Sequence, residues 1–183
     1  MLKKVLSEID IYTGSIDCPK NFEIDRKTIK NSIIQSYVSS NTLSKNSKDL
    51  SYKDFKVAFS QPLQWLQDYV RDHFLEYSNK NLIPKIMWGT VLQPDEQSYS
   101  RATADPMDLR NAPDYTFIYG VDVPDQSCEC VIHYDNNRRV NKTWHIPLKN
   151  NHFIIFPSIQ KFFITQNTSK QMITLLTTTY ESI

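Results

Sequence analysis

Residues 115–157 read YTFIYGVDVPDQSCECVIHYDNNRRVNKTWHIPLKNNHFIIFP, and this stretch decides the fold. Runs rich in Val, Ile, Tyr and Phe alternate there with short polar clusters, a pattern typical of β-strands joined by tight turns. The clusters Asp135–Arg138 and Lys149–Asn151 predict turns, because Asn and Asp tolerate the positive φ angles that tight turns require. Four strands are therefore predicted near residues 115–123, 129–135, 141–147 and 152–156.

The strand pattern continues on both sides of this stretch, and two helices are predicted before it. Asp25 can cap a helix whose apolar residues, ending in Val38, recur at helical spacing. Ser60 and Pro62 begin a second helix, whose apolar face ends in Tyr77. The predicted fold is mainly β, in the α+β class: a double-stranded β-helix or jelly roll with N-terminal flanking helices. Three further strands are predicted near residues 86–92, 161–166 and 171–180.

The chain has 183 residues, the length of one domain. We expect a single domain over residues 1–183, with a helical lead-in over residues 1–85 and a β-helix core over residues 86–183. Residues 39–51 are mostly Ser, Asn and Lys and lack apolar periodicity, so they are predicted to form a mobile connection.

Composition argues against several classes of function. Lys plus Arg number 21 and Asp plus Glu number 20, so the net charge is +1, which gives no support to nucleic-acid or membrane binding. With only 3 glycines the chain has no glycine-rich phosphate loop. Its cysteines, Cys18, Cys128 and Cys130, are odd in number and predict reduced thiols rather than disulfides. The N-terminal residues lack the apolar run of a signal peptide, so secretion by that route is not expected.

Several short motifs follow one another in a defined order: Val121–Pro124, the run CECVIHYDNNRR, Trp144–Pro147 and Phe156–Ser158. Together they resemble small Fe(II)/2-oxoglutarate oxygenase-like proteins encoded by tailed marine phages. In that group a strand ending in Val-x-Val-Pro precedes one ending in a DPR-like turn, and a strand ending in Leu-Phe-Pro-Ser follows. The resemblance covers residues 86–180 and implies a double-stranded β-helix, in agreement with the strand pattern.

The resemblance also implies where an iron site would lie, since such a site needs two histidines and one carboxylate on one face of the metal. The first pair of ligands would fall shortly before Ile118, around Asp108, where the sequence has no histidine. The second histidine would fall at Phe162, and the basic residue that pairs with the cosubstrate would fall near Lys170. The resemblance therefore implies that the iron ligands are lost, and neither a catalytic residue nor a metal nor another cofactor is predicted.

His133-Tyr134-Asp135 is the one His-x-Asp sequence in the strand region. Alternation along a strand places His133 and Asp135 on the same face, as a pair of metal ligands requires. A third ligand would have to come from His145 or His152. An Fe(II)/2-oxoglutarate-dependent oxygenase with an atypical site at His133 and Asp135 is therefore the alternative function, and Fe(II) and 2-oxoglutarate are its cofactors.

The function predicted from the sequence is a non-catalytic, oxygenase-like jelly roll that serves as a structural component of a phage virion, in the neck, tail, baseplate or capsid. Its expected partners are other virion proteins, a homo-oligomer is left open, and its expected location is the virion after synthesis in the host cytoplasm. A jelly roll that binds a host sugar or peptide is a third alternative.

Four residues are predicted to surround the mouth of the β-helix and to contact a partner: Tyr99, Arg101, Arg110 and Tyr115. The loop over residues 93–114 is long enough to reach across this mouth. We expect this loop to fill the former cosubstrate pocket or to hold a neighbouring subunit.

Overall fold

The computed structural model of the chain describes residues 9–16, 24–43, 54–108, 110–137 and 140–183, except for the side chains of residues 41–43, 135–137 and 140–141. The described part contains two helices and nine strands. The helices are α1 (Arg26–Leu43) and α2 (Gln61–Ser78). The strands are β1 (Tyr12–Ser15), β2 (Phe55–Lys56), β3 (Leu82–Leu92), β4 (Tyr115–Asp122), β5 (Glu129–Asn137), β6 (Val140–Pro147), β7 (His152–Pro157), β8 (Phe162–Ile164) and β9 (Ile173–Ser182).

The strands form two antiparallel sheets that face each other. The main sheet has six strands in the order β1-β7-β4-β9-β3-β2, and the small sheet has three in the order β6-β5-β8. Most neighbours in the main sheet are not neighbours in sequence. For example, β4 lies between β7 and β9, with Ile118 opposite Ile154 on one side and Thr177 on the other. This crossing of strands between two facing sheets, with two helices alongside, fits the predicted double-stranded β-helix fold, mainly β in the α+β class.

Two apolar clusters lie on opposite faces of the main sheet, because successive side chains of a strand point to opposite faces. Along β4, Phe117 and Tyr119 belong to the cluster shared with the helices, whereas Ile118 belongs to the cluster between the two sheets. Phe156 and Phe162 contribute to the second cluster and lie with ring centroids 5.2 Å apart in an edge-to-face arrangement. The molecule therefore has three layers, with the helices on one side of the main sheet and the small sheet on the other.

The helices begin largely as the sequence predicts. The carboxylate of Asp25 accepts hydrogen bonds from the Thr28 backbone N–H at 3.0 Å and from its hydroxyl at 2.6 Å. These bonds lower the pKa of Asp25, the side-chain bond to Thr28 being the larger cause. Ser60 precedes α2 with extended backbone and Pro62 lies in its first turn, but the Ser60 side chain makes no capping hydrogen bond. The end of α2 is set by Asn79, whose φ of 55° is left-handed and whose N–H bonds to the carbonyl of Leu75.

The lead-in over residues 1–85 is not purely helical, since its β1 and β2 form the two edges of the main sheet and β3 begins at Leu82. Residues 39–43 of the predicted mobile connection belong to α1, and the rest of that connection lies outside the described residues. Val38 and Tyr77, expected on apolar helix faces, are 52% and 80% exposed. Neither belongs to the apolar cluster that the helices share with the main sheet.

The predicted turn over residues 149–151 is confirmed, and Asn151 has a φ of 63°. Its backbone N–H donates to the carbonyl of Gly120, which brings the turn against β4. A Cβ atom at Gly120 would lie 2.0 Å from the carbonyl oxygen of Lys149, so this close approach requires glycine. In the described part of the chain, neither helix is long and apolar enough to cross a membrane.

Candidate functional site

A cavity of about 260 Å³ opens at one end of the space between the two sheets, and we call it the mouth pocket. Its walls come from β3, β4, β8 and β9 and from residues 96–101, so most of it is built by the β-helix itself. The floor is apolar and the rim is polar. Floor residues are Val91, Leu92, Ile118, Phe162, Ile164 and Leu175, and residues that supply polar groups are Tyr37, Asp54, Thr90, Glu96, Gln97, Ser98, Tyr99, Arg101 and Thr177.

One wall of the mouth pocket is a segment that pairs with β8 although it forms no regular strand. The backbone N–H of Arg101 donates to the carbonyl of Phe162 at 2.9 Å, and the N–H of Phe162 donates back at 2.8 Å. Ser98 is held in the same way, since its N–H donates to the carbonyl of Ile164 at 3.0 Å and its hydroxyl accepts from the Ile164 N–H at 2.6 Å. These bonds extend the small sheet by one irregular segment and fix Tyr99 and Arg101 beside the cavity.

Arg101 is the best-anchored charged group of the mouth pocket. Its two terminal nitrogens donate to the two carboxylate oxygens of Asp54, at 2.7 and 2.9 Å, in the bidentate geometry that a guanidinium prefers. The guanidinium carbon lies 5.0 Å from the Trp88 ring centroid and 6.0 Å from that of Phe162, so the cation also rests on two aromatic rings. The Arg101 side chain is only 20% exposed, whereas that of Asp54 is 40% exposed.

Asp54 reaches Arg101 because the short strand β2 carries it to the edge of β3. Phe55 pairs with Gly89 and Lys56 with Trp88. A Cβ at Gly89 would lie 2.5 Å from a side-chain carbon of Ile33 on α1, so this glycine lets the helix approach the sheet beside β2. Two serines of α1 also hold this segment: the Ser36 hydroxyl donates to the carbonyl of Lys56 at 2.6 Å, and the Ser32 hydroxyl accepts from the N–H of Ala58 at 3.0 Å.

The structure brings together two of the four predicted mouth residues. Tyr99 and Arg101 line the mouth pocket. Arg110 is exposed on the loop that follows and is not among the lining residues. Tyr115 lies on the helical face of the main sheet, with its ring 5.1 Å from Phe74 of α2. The prediction that all four residues surround the mouth is therefore wrong for Arg110 and Tyr115. Tyr115 misses the mouth because β4 turns its side chain away from the small sheet. Contact of any of the four with a partner stays a prediction.

The loop over residues 93–114 lines the mouth pocket without filling it. Its first part supplies the wall that pairs with β8. Further along, the backbone N–H groups of Thr103 and Ala104 both donate to the carbonyl of Ser158, at 3.1 and 3.0 Å. The hydroxyls of Thr103, Thr116 and Ser158 form a chain, with Thr116 and Ser158 2.8 Å apart and buried. The loop is thus held along its length, and the predicted filling of the pocket is not observed.

The positions suggested for iron ligands do not converge. Phe162 lies in the floor of the mouth pocket, but Asp108 is exposed on the loop and accepts hydrogen bonds from the amide of Asn111. Lys170 is exposed on the turn before β9 and is not among the lining residues. Among the described side chains, no group of three His, Cys, Asp or Glu residues could hold a metal ion. We therefore assign no residue as an iron ligand and no reaction step to a metal.

The three histidines that were candidates for an atypical metal site each contact a different residue. The ring of His133 lies 5.7 Å from that of Phe163, and the side chain of Asp135 is outside the described part. His145 has its Nδ1 2.8 Å from a carboxylate oxygen of Glu129, and His152 has its Nδ1 2.8 Å from the carbonyl oxygen of Asn150. A metal at His133 and Asp135 remains an untested prediction.

The two cysteines that the structure describes are free thiols, as the sequence predicts. Cys128 and Cys130 lie in the apolar layer between the sheets. Burial is the main cause that raises the pKa of Cys128 to about 11, and it raises the pKa of Cys130 further. Neither is a thiolate near neutral pH, so neither suits nucleophilic chemistry. Cys18 lies outside the described residues.

Sequence reasoning did not find Asp54 or Trp88. Asp54 lies beside a Ser- and Lys-rich stretch without periodicity. Arg101 is 47 positions further along the chain, and nothing in the sequence between them indicates that the two meet. Trp88 was within a predicted strand, but the face on which it lies depends on the register of that strand with its neighbours. A local pattern could have indicated neither contact.

No known family model matches the chain, and no curated protein matches it in sequence. Solved structures match it in fold. A prolyl-4-hydroxylase of Pseudomonas putida superimposes with a TM-score of 0.57 and 9% identity, over 93% of this chain and 91% of the other. A prolyl hydroxylase of Trichoplax adhaerens gives 0.57 and 10%, over 93% and 83%. An oxidoreductase of the 2OG-Fe(II) oxygenase family from Burkholderia pseudomallei gives 0.53 and 9%, over 72% of this chain and 63% of the other.

These comparisons contradict two predictions made from the sequence, that the protein is not an enzyme and that it takes no cofactor. The solved structures that share its fold carry the names of prolyl hydroxylases and of an oxidoreductase of the 2OG-Fe(II) oxygenase family. The prediction rested on two positions of a short motif, at Asp108 and Phe162, and such positions do not exclude ligands from elsewhere. At 9–10% identity the comparisons themselves show the fold alone: this chain has the double-stranded β-helix of the 2OG-Fe(II) oxygenases.

Proposed function

We propose that the protein is an enzyme of the oxygenase type whose mouth pocket binds a small carboxylate of the 2-oxoglutarate class. The observation that carries this proposal is Arg101, the one basic side chain among the described residues that line the pocket. It already holds a carboxylate, that of Asp54, through two hydrogen bonds of 2.7 and 2.9 Å. A planar guanidinium with parallel donors is the group that proteins use to bind carboxylates in a defined orientation.

The rest of the pocket suits a small, partly apolar acid. Its floor of aliphatic and aromatic side chains, among them Ile118 and Leu175, would cover the carbon chain of the ligand. The hydroxyls of Ser98, Tyr99 and Thr177 supply polar groups at the sides. No metal is assigned to the pocket, because the described side chains supply no set of three ligands.

The direct test is calorimetry with 2-oxoglutarate and with its inert analogue N-oxalylglycine, on the full chain, in the presence and absence of Fe(II) under anaerobic conditions. We expect binding that the uncharged dimethyl ester does not share and that Arg101→Gln abolishes. Arg71→Gln is the matched control, since Arg71 pairs with Asp68 at 3.1 Å on α2, away from the pocket. Succinate release in air would establish turnover. The proposal is contradicted if Arg101→Gln and Arg71→Gln bind 2-oxoglutarate equally well. It is also contradicted if neither the wild type nor a variant lacking Asp54 binds it.

A second candidate, a component of a phage particle, is favoured by the order of the motifs between Val121 and Ser158, which resembles phage-encoded oxygenase-like proteins. The exposed tip of the loop offers a contact surface to a neighbour: Met107 is 92% exposed, and Arg110 is exposed beside it. Mass spectrometry of purified particles tests this role. We expect Met107→Ser combined with Arg110→Ala to lower incorporation without loss of folding. Absence of the protein from particles, with presence in infected cells, contradicts it.

A further inference from the structure

We infer that Asp54 acts as a resident competitor: its carboxylate occupies on Arg101 the place that the carboxylate of an incoming ligand would take. This inference rests on the proposed function, because it concerns the same pocket and the same guanidinium. Its basis is that the two terminal nitrogens of Arg101 that form the bidentate fork both donate to Asp54. A ligand that needs this fork must displace Asp54 or bind by a weaker arrangement.

The two members of the pair differ in how firmly they are held. The backbone of Arg101 exchanges two hydrogen bonds with Phe162, and its guanidinium rests on the rings of Trp88 and Phe162. Asp54 precedes a strand of two residues and its side chain is twice as exposed, 40% against 20%. The carboxylate is therefore the partner that moves when the pair separates, and the guanidinium stays at the pocket.

Separation of the pair does not require β2 to leave the sheet. Phe55 is 3% exposed and packs edge-to-face against Tyr37 of α1 with 5.3 Å between ring centroids. The hydrogen bonds from Ser32 and Ser36 hold the residues that follow. A rotation of the Asp54 side chain alone would open this ion pair, so displacement is a local event with a small structural cost.

The charges of the residues that line the pocket also support the role of Asp54 as a competitor. Its described lining residues include two acids, Asp54 and Glu96, and one base, Arg101. With Asp54 in place, an approaching anion meets a guanidinium that is already neutralised and one further carboxylate. Removal of the Asp54 charge would leave one acid and one base, which favours the binding of an anion.

The test compares the affinity of five forms of the full chain for 2-oxoglutarate and for oxalate by calorimetry: the wild type, Arg101→Gln, two Asp54 variants and one control variant. Asp54→Asn keeps the side-chain size and removes the charge, and we expect it to bind about fivefold more tightly than the wild type, the factor that corresponds to loss of a partly exposed ion pair. Asp54→Ala is the second variant, in case the asparagine side chain still bonds to Arg101. Asp72→Asn is the matched control, since Asp72 pairs with Arg71 on α2, and its affinity should equal that of the wild type.

The outcomes separate the two proposals. Tighter binding by both Asp54 variants, with no binding by Arg101→Gln, supports the inference. Unchanged or weaker binding by both Asp54 variants, with binding still lost in Arg101→Gln, overturns the competitor role and leaves the proposed function in place. Absence of binding in the wild type and in both Asp54 variants overturns the proposed function and this inference together. Circular dichroism establishes that each variant is folded.

Discussion

Phe162 links the stability of the β-helix to the shape of its candidate site, so we expect Phe162→Ala to affect both. The side chain is 4% exposed, lies edge-to-face against Phe156 and supports the guanidinium of Arg101. Removal of a buried Phe side chain costs about 3–5 kcal/mol of unfolding free energy. One side of the ring faces the mouth pocket of about 260 Å³, where water can enter the space left behind. The loss should therefore fall near the lower limit, about 3 kcal/mol, with a decrease in Tm of about 6–12 °C.

Phe163 offers the matched control, because it is the next residue of the same strand and points to the opposite face. Its side chain is half-buried, and its ring lies 5.7 Å from His133 rather than in the apolar cluster between the sheets. We expect Phe163→Ala to cost about 1 kcal/mol. Urea unfolding followed by circular dichroism measures both variants. Equal losses, or a loss below about 1 kcal/mol for Phe162→Ala, would refute the assignment of Phe162 to the inter-sheet core.

Three further predictions concern other parts of the inter-sheet layer and the helical face. Gly120→Ala should destabilise the protein by about 2–3 kcal/mol in urea unfolding, because its Cβ would overlap the carbonyl of Lys149; a change within about 0.5 kcal/mol would show that the turn moves freely. In native protein at pH 8, Cys130 should resist thiol reagents until unfolding, since burial is the first cause of its raised pKa, and rapid labelling located by peptide mass spectrometry would contradict this. Burial raises the pKa of Cys128 and of Tyr180, so above about pH 9 the unfolded chain loses these protons while the folded chain keeps them. The free energy of unfolding should therefore fall, by up to about 1.4 kcal/mol per pH unit for each of the two groups, and a flat profile from pH 9 to 11 would contradict this.

Much of the fold could be predicted because strand patterns are local. The alternation along Tyr115–Asp122 indicates a strand whatever lies beside it, and seven predicted strands correspond to β3 to β9. The two missed strands, β1 and β2, have four and two residues, too few for any pattern. They are strands because β7 and β3 present free edges to them, which is a property of the assembled sheet.

The candidate site was predicted only in part, because the position of a side chain in the site depends on the assembled sheets as well as on the local sequence. Tyr99 and Arg101 follow a strand on a polar loop, so their place near the end of the β-helix could be expected. Tyr115 could not be assigned to a face, because one strand with apolar residues on both sides does not reveal which sheet it faces. The prediction that the loop over residues 93–114 fills the pocket failed, because the length of a loop does not determine the path of its backbone.

The sequence by itself determined the elements: helices that begin directly after Asp25 and Ser60, strands divided by polar turns, and a glycine at position 120. Only the tertiary structure decided that Asp54 meets Arg101 over Trp88, with Phe162 as the second ring. Helix and strand formation depends on residues a few positions apart, which the sequence displays directly. The meeting of Asp54 and Arg101 depends on strand order and register, which are set by the burial of two apolar faces at once and can be read only after the sheets have packed.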